Sequence, residues 1–173
     1  MPMSFPCRMS AAASCALGLF AMLHAPAASA ATERVQRVSA TAVCEAPLPV
    51  FDTTLRKRPI GITNQGGPSV FVSCSLPADS AAPPGGASVS ARFAMIGEAP
   101  PVTVQCQLVA GTADAPTYTA GSIVVPAAGS AWLTWNGVDK GTASATLNFS
   151  CHLPSGVDLS TIMYREVDAA GGL

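Results

Sequence analysis

The chain has 173 residues, and 11% of them are charged, against about 25% in an ordinary globular domain. Its formal net charge is −1, which excludes the basic field that nucleic acid or an anionic membrane surface calls for. It is also 49% hydrophobic, and part of that excess sits at the N-terminus.

Arg8 is the sole charged side chain before Glu33, and Ser10 to Leu23 is an apolar run followed by Pro26 and Ala28-Ser29-Ala30. A short basic region, a brief apolar region and an A-x-A site predict a signal peptide over residues 1–30, cleaved after Ala30. The run is shorter than the ~20 apolar residues of a membrane-spanning helix. Cys15 raises a lipoprotein alternative, but the main apolar stretch, Leu17 to Leu23, follows it and no Leu stands three residues before it. Export leaves eight Lys/Arg against ten Asp/Glu, a net charge of −2, on about 143 residues, the size of one domain.

Residues 31–40 are small and polar and predict a flexible leader, with the domain proper over 41–173. Thr41 to Cys44 reads as a short first strand. The prolines of Glu45-Ala-Pro-Leu-Pro49 interrupt pairing, because each lacks an N–H donor. Leu55-Arg-Lys-Arg-Pro59 holds the densest charge cluster, Arg56-Lys57-Arg58. It reads as a solvated strand entrance, with an anionic partner or a processing site as the functional alternatives. Ile60 to Thr63 is a short strand and Asn64-Gln-Gly-Gly-Pro68 a turn. In Pro68 to Leu76, Val70, Val72, Cys74 and Leu76 alternate with Phe71, Ser73 and Ser75. That period of two marks a half-buried strand, expected to form a hairpin with Ile60–Thr63.

Pro77 to Gly86 reads as a loop, and Val89, Ala91, Phe93 and Met95 alternate with Ser88, Ser90 and Arg92 as another strand. Val102, Val104, Cys106 and Leu108 repeat the cysteine-bearing pattern, and so do Leu147, Phe149, Cys151 and Leu153. Between them, Gly111 to Pro116 reads as a loop, Tyr118 to Val125 and Ala131 to Trp135 as strands, and Asn136-Gly137 as a type I′ turn pair or part of a longer loop. Pro154-Ser-Gly156 is a turn, and Thr161 to Val167 the last strand. Eight or so short strands with Gly/Pro punctuation predict an all-β fold. The form expected is an antiparallel β-sandwich, immunoglobulin-like or jelly-roll-like.

Four cysteines follow the leader: Cys44, Cys74, Cys106 and Cys151. An even count in an exported chain predicts two disulfides. The pairing Cys44–Cys74 with Cys106–Cys151 closes one half of the chain with each bond. Zinc is disfavoured because no two cysteines have C-x(2–4)-C spacing and His152 is the one histidine nearby.

No catalytic residue is singled out. His152 reads as a surface histidine, no G-x-S-x-G motif places a nucleophile, and no carboxylate pair stands apart from the others. Trp132, Trp135, Tyr118 and Tyr164 are the candidates for a ligand platform. Trp132 and Trp135 lie three apart in a strand and so point to opposite faces, which leaves at most one naturally in the core. Asn136, Asp139 and Asn148 lack the D-x-D-x-D-G calcium pattern. Asn148-Phe-Ser150 matches a glycosylation sequon. No cofactor and no metal is implied.

Leu55-Arg-Lys-Arg-Pro-Ile-Gly-Ile-Thr-Asn64, Val70-Phe-Val-Ser-Cys-Ser75 and Ser150-Cys-His-Leu-Pro-Ser-Gly156 resemble small secreted proteins of uncharacterised function from Gram-negative bacteria. The resemblance implies a two-disulfide β-sandwich and carries over no catalytic residues. The resulting expectation is an exported, non-enzymatic binding or structural module, periplasmic or secreted, whose partner is a protein or a glycan. The rivals are a secreted hydrolase of cell-wall or host polymers, and a surface-fibre subunit in which residues 31–40 serve as a donated strand.

Overall fold

Alternation of apolar and polar residues becomes strand nearly everywhere it occurs. The computed structural model describes residues 32–47, 54–78, 85–142 and 144–167, so the expected signal peptide lies outside the described residues. In chain order the elements are β1 (Glu33–Ser39), α1 (Ala40–Val43), β2 (Cys44–Glu45), β3 (Leu55–Arg58), β4 (Gly61–Asn64) and β5 (Val70–Leu76). There follow β6 (Ala87–Met95), β7 (Val102–Thr112), β8 (Ala115–Val125), β9 (Ser130–Val138), β10 (Thr146–Leu153) and β11 (Val157–Val167).

The strands form two antiparallel sheets. Sheet A runs β3-β4-β11-β6-β9, with β1 also paired to β11, and sheet B runs β2-β5-β10-β7-β8. The inward residues of β6 (Val89, Ala91, Phe93) and of β11 (Leu159, Ile162, Tyr164) are buried, as are Val72 of β5, Leu108 of β7 and Phe149 of β10. Together they make one core cluster between the sheets, the expected antiparallel sandwich.

All four cysteine-bearing strands, β2, β5, β7 and β10, belong to sheet B and point their sulfurs inward. Cys106 is the register partner of Cys151, and Cys44 of Cys74. Both expected disulfides form, each between neighbouring strands of the same sheet.

Five local expectations are corrected. The leader expected at 31–40 contains β1, paired with β11 from Glu33↔Val167 to Ser39↔Thr161. Two of its three inner positions are the polar Arg34 and Gln36, with Val38 the third, so a hydrophobic alternation was not legible; Arg34 lies 3.5 Å from the buried Glu166. The segment offered as a donated strand is thus part of a sheet in its own chain. Of the expected Thr41–Cys44 strand, residues 41–43 form a helical turn instead, capped by the Ser39 hydroxyl, which accepts from the Thr41 N–H at 3.4 Å, and Cys44 begins β2.

The expected hairpin between β4 and β5 does not form, because β4 belongs to sheet A and β5 to sheet B. Fully buried Asn64 makes the crossover. Its amide donates to the carbonyls of Pro68 (2.8 Å) and Leu153 (2.9 Å), and its Oδ1 accepts from the Gly66 N–H (2.9 Å). The loop expected at Gly111–Pro116 is reduced to a tight hairpin, with Thr112 and Ala115 already register partners. Asn136-Gly137 is a bulge inside β9 rather than a turn. It falls between the pairs Ala87↔Val138 and Val89↔Trp135, with Gly137 at φ 64°, the left-handed conformation that glycine adopts without steric cost.

Candidate functional site

Inward residues of sheet B serve the core, so its outward residues are free for recognition. They fall in register across the sheet. One row is Phe71, His152, Gln105 and Ser122, on β5, β10, β7 and β8. The next is Glu45, Ser73, Ser150, Gln107 and Ala120, and the third is Ser75, Asn148, Val109 and Tyr118. Directly opposed residues on neighbouring strands sit about 4.5–5.5 Å apart at Cβ, so these side chains form one continuous surface.

The centre of that surface is a depression of about 640 Å³ lined by Phe71, Gln105, Gln107, Ser122, Ser150 and His152 among others. Phe71 is 52% exposed and Tyr118 60%, and they stand near opposite edges of the sheet. The Phe71 ring meets the His152 imidazole edge to face. Between the aromatics lie amides and hydroxyls, groups that both donate and accept hydrogen bonds. Among the described outward residues of these three rows, Glu45, at the edge, is the sole carboxylate.

The floor is supported from below by a close contact between the sheets. A Cβ on Gly121 of β8 would lie 2.8 Å from Trp135 Nε1, so the absent side chain at 121 makes room for the indole. Trp135 also packs on Phe149, with ring centroids 5.8 Å apart.

The four aromatic candidates therefore separate. Trp135 (4% exposed) and Tyr164 (1%) belong to the core, the latter donating its hydroxyl to the Pro77 carbonyl at 3.1 Å. Tyr118 lies on the outer face of sheet B. Trp132, 40% exposed, faces out from sheet A beside Arg92. The sequence spacing separated the two tryptophans correctly but did not say which one was buried. Phe71, Gln105 and Gln107 were not singled out beforehand; their signal was their place on the polar side of strands whose other side holds cysteines.

Asn148 donates to the Thr146 hydroxyl at 2.9 Å, and Asp139 accepts from the Gly141 N–H at 2.9 Å. Among the described residues no cluster of three or more His, Cys, Asp or Glu is positioned to hold a metal ion. No described helix is long and apolar enough to cross a membrane.

No protein-family model matches the sequence, and no curated protein is similar to it in sequence. Among solved structures, the chain is similar to the xylan-binding module CBM15, with a TM-score of 0.52 and 11% identity over 80% of this chain and 100% of that one. It is also similar to CsCBM6-3 from Clostridium stercorarium, solved in complex with cellobiose (TM-score 0.45, 10% identity, 77% of this chain, 92% of that one). A further match is the CBM22-1 xylan-binding domain of Xyn10C from Paenibacillus barcinonensis (TM-score 0.42, 13% identity, 81% and 87%). At 11% identity the likeness to the CBM15 module is one of fold alone.

Proposed function

We propose that this protein is an exported, non-enzymatic glycan-binding module, and that it holds an uncharged sugar chain on the outer face of sheet B. The observation that carries the reading is the depression floored by Gln105, Gln107, Ser122 and Ser150 and flanked by Phe71 and His152. Sugar rings present apolar C–H faces to aromatic rings and hydroxyls to amides, and this face offers both. The open, uncharged strip suits a chain running across the strands better than a small molecule enclosed on all sides.

The fold likeness supports the reading as an analogy and does not supply the site. A hydrolase is disfavoured because the depression holds no pair of facing carboxylates, which glycoside hydrolysis requires. Two disulfides suit an oxidising compartment, and the proposed setting is the periplasm or the cell exterior.

Affinity electrophoresis and calorimetry against xylan, soluble cellulose derivatives and mannan test the proposal. Wild type should bind at least one of them without releasing reducing ends. Phe71→Ala should weaken that binding about tenfold, from a lost ring contact worth about 1.5 kcal/mol. Gln107→Ala should weaken it as well, while the far-side Trp132→Ala leaves it unchanged. Absence of binding across the panel, or variants at Phe71 and Gln107 that bind like wild type, would refute it.

A further inference from the structure

The outer face of sheet A has the opposite character. Asp158 shares its face with Thr63, which donates to its Oδ1 at 2.9 Å, and with Gly61, whose Cβ would lie 2.6 Å from the same carboxylate. The register partners of Thr63 and Gly61 are Arg56 and Arg58, which places both arginines of the basic tripeptide on this face. Arg92 lies across β6, between Trp132 and the β11 bulge. Arg37 opposes Met163, and Arg165 opposes Val35. Five of the arginines thus share one face with Glu33 and Asp158, while Glu45 is the sole charged carboxylate in the three outward rows of sheet B.

Three of these groups, Arg37, Arg92 and Asp158, border a recess. The shift in β11 between Leu159 and Ile162 sets Ser160 and Thr161 against Arg92, and bulges re-aim side chains in this way. Ser39, Arg37, Arg92, Asp158, Ser160 and Thr161 line a depression of about 460 Å³ there. One guanidinium nitrogen of Arg92 is 3.3 Å from the Ser160 hydroxyl, which holds its fork in the recess. Half-exposed Trp132 stands on the next strand.

We propose that this recess is a second binding site, for a carboxylate-bearing sugar of the uronic acid type. Arg92 and Arg37 take the carboxylate, the hydroxyls of Ser39, Ser160 and Thr161 take ring hydroxyls, and Trp132 stacks on the adjoining ring. Guanidinium forks suit carboxylates geometrically, and an indole beside them suits a sugar face. Arg37 and Arg92 line a hollow rather than a protruding surface, so a glycan chain fits them better than a flat bilayer. Asp158 sits within the recess as a repelling charge; its removal should tighten binding. This site lies on the sheet opposite the proposed neutral-glycan face, and each stands or falls by its own variants.

The test measures binding of polygalacturonate and alginate at low salt, beside fully methyl-esterified polygalacturonate, dextran sulfate and anionic phosphatidylserine vesicles. Wild type should bind at least one carboxylated polymer, with loss on esterification. Arg92→Gln and Arg37→Gln should each weaken binding fivefold or more, with the exposed Arg37 serving as the variant that leaves packing untouched. Asp158→Asn should strengthen binding about threefold, and Phe71→Ala should leave it unchanged. A purely structural role for these residues would not produce a gain at 158. Equal binding of the ester, stronger binding of dextran sulfate or vesicles than of every uronate polymer, no binding of any uronate, or arginine variants that bind like wild type would each overturn the proposal.

Discussion

Lys140→Met offers a sharp test of how the sandwich is held at one end. Lys140 lies in the β9–β10 connection, and its Nζ is 2.9 Å from Glu166 Oε1 on β11, with both side chains essentially out of water (0% and 1% exposed). Arg34 reaches the other Glu166 oxygen at 3.5 Å from β1. The trio therefore ties the N-terminal strand, the last strand and a connection together. Removing one member of a buried ion pair costs about 3–5 kcal/mol, because the remaining charge keeps its desolvation penalty without its partner. Arg34 stays to offset part of this, so the expected loss is about 3 kcal/mol. For a domain of this size that corresponds to a melting temperature lower by about 10 °C. The double variant Lys140→Met/Glu166→Leu removes the stranded carboxylate and leaves Arg34, a third exposed, to be solvated by water, so it should regain part of the loss and end within about 2 kcal/mol of wild type. Urea unfolding with disulfides intact, followed by the fluorescence of buried Trp135, measures both. A single variant that costs under about 1 kcal/mol, or a double variant as damaged as the single, would refute the reasoning.

Replacing Cys106 and Cys151 by Ser should cost about 4 kcal/mol, since a bond spanning 45 residues restrains the unfolded chain by that amount in the loop-entropy account; chemical unfolding of the double variant measures it. Gly121→Ala should cost about 1–3 kcal/mol by overpacking, because the new methyl meets the Trp135 indole. A blue- or red-shifted Trp emission should accompany it, and an unaltered protein would count against the contact. Burial raises the Asp158 carboxyl above its ordinary 3.8, with the Thr63 hydrogen bond and the charges of Arg92 and Arg58 acting the other way. The folded protein thus keeps this proton to a higher pH than the unfolded chain does. Its contribution to stability is greatest in acid and is lost as pH rises from about 3.8 through the folded value. Between pH 7 and pH 3.5, wild type should therefore gain melting temperature relative to Asp158→Asn, and a difference that does not change with pH would contradict this.

The strands whose inner face is apolar, and the inward direction of Cys74, Cys106 and Cys151, were legible in the amino-acid sequence, because a period-two pattern shows in any single strand. The disulfide pairing rested there on another ground, that each bond closes one half of the chain, and the register pairs Cys44↔Cys74 and Cys106↔Cys151 decide it. The sequence also assigned the two tryptophans to opposite faces, since alternation permits nothing else. What it left undecided depends on partners remote in the chain. β1 was hidden because two of its three inner residues, Arg34 and Gln36, are polar, and Arg34 becomes burial-compatible only when Glu166, more than a hundred residues later, supplies the countercharge. The choice of sheet for β4 and β5 rests on Asn64 reaching the Leu153 carbonyl, a contact no local pattern encodes. Both candidate binding faces are of this kind. Phe71, Gln105, Gln107 and Ser122 are ordinary outward residues on three separate strands, and Arg37, Arg58 and Arg92 belong to three others. Only lateral strand pairing, which is set by long-range packing of the two sheets, brings each set together and sorts charge onto one face and uncharged amides onto the other.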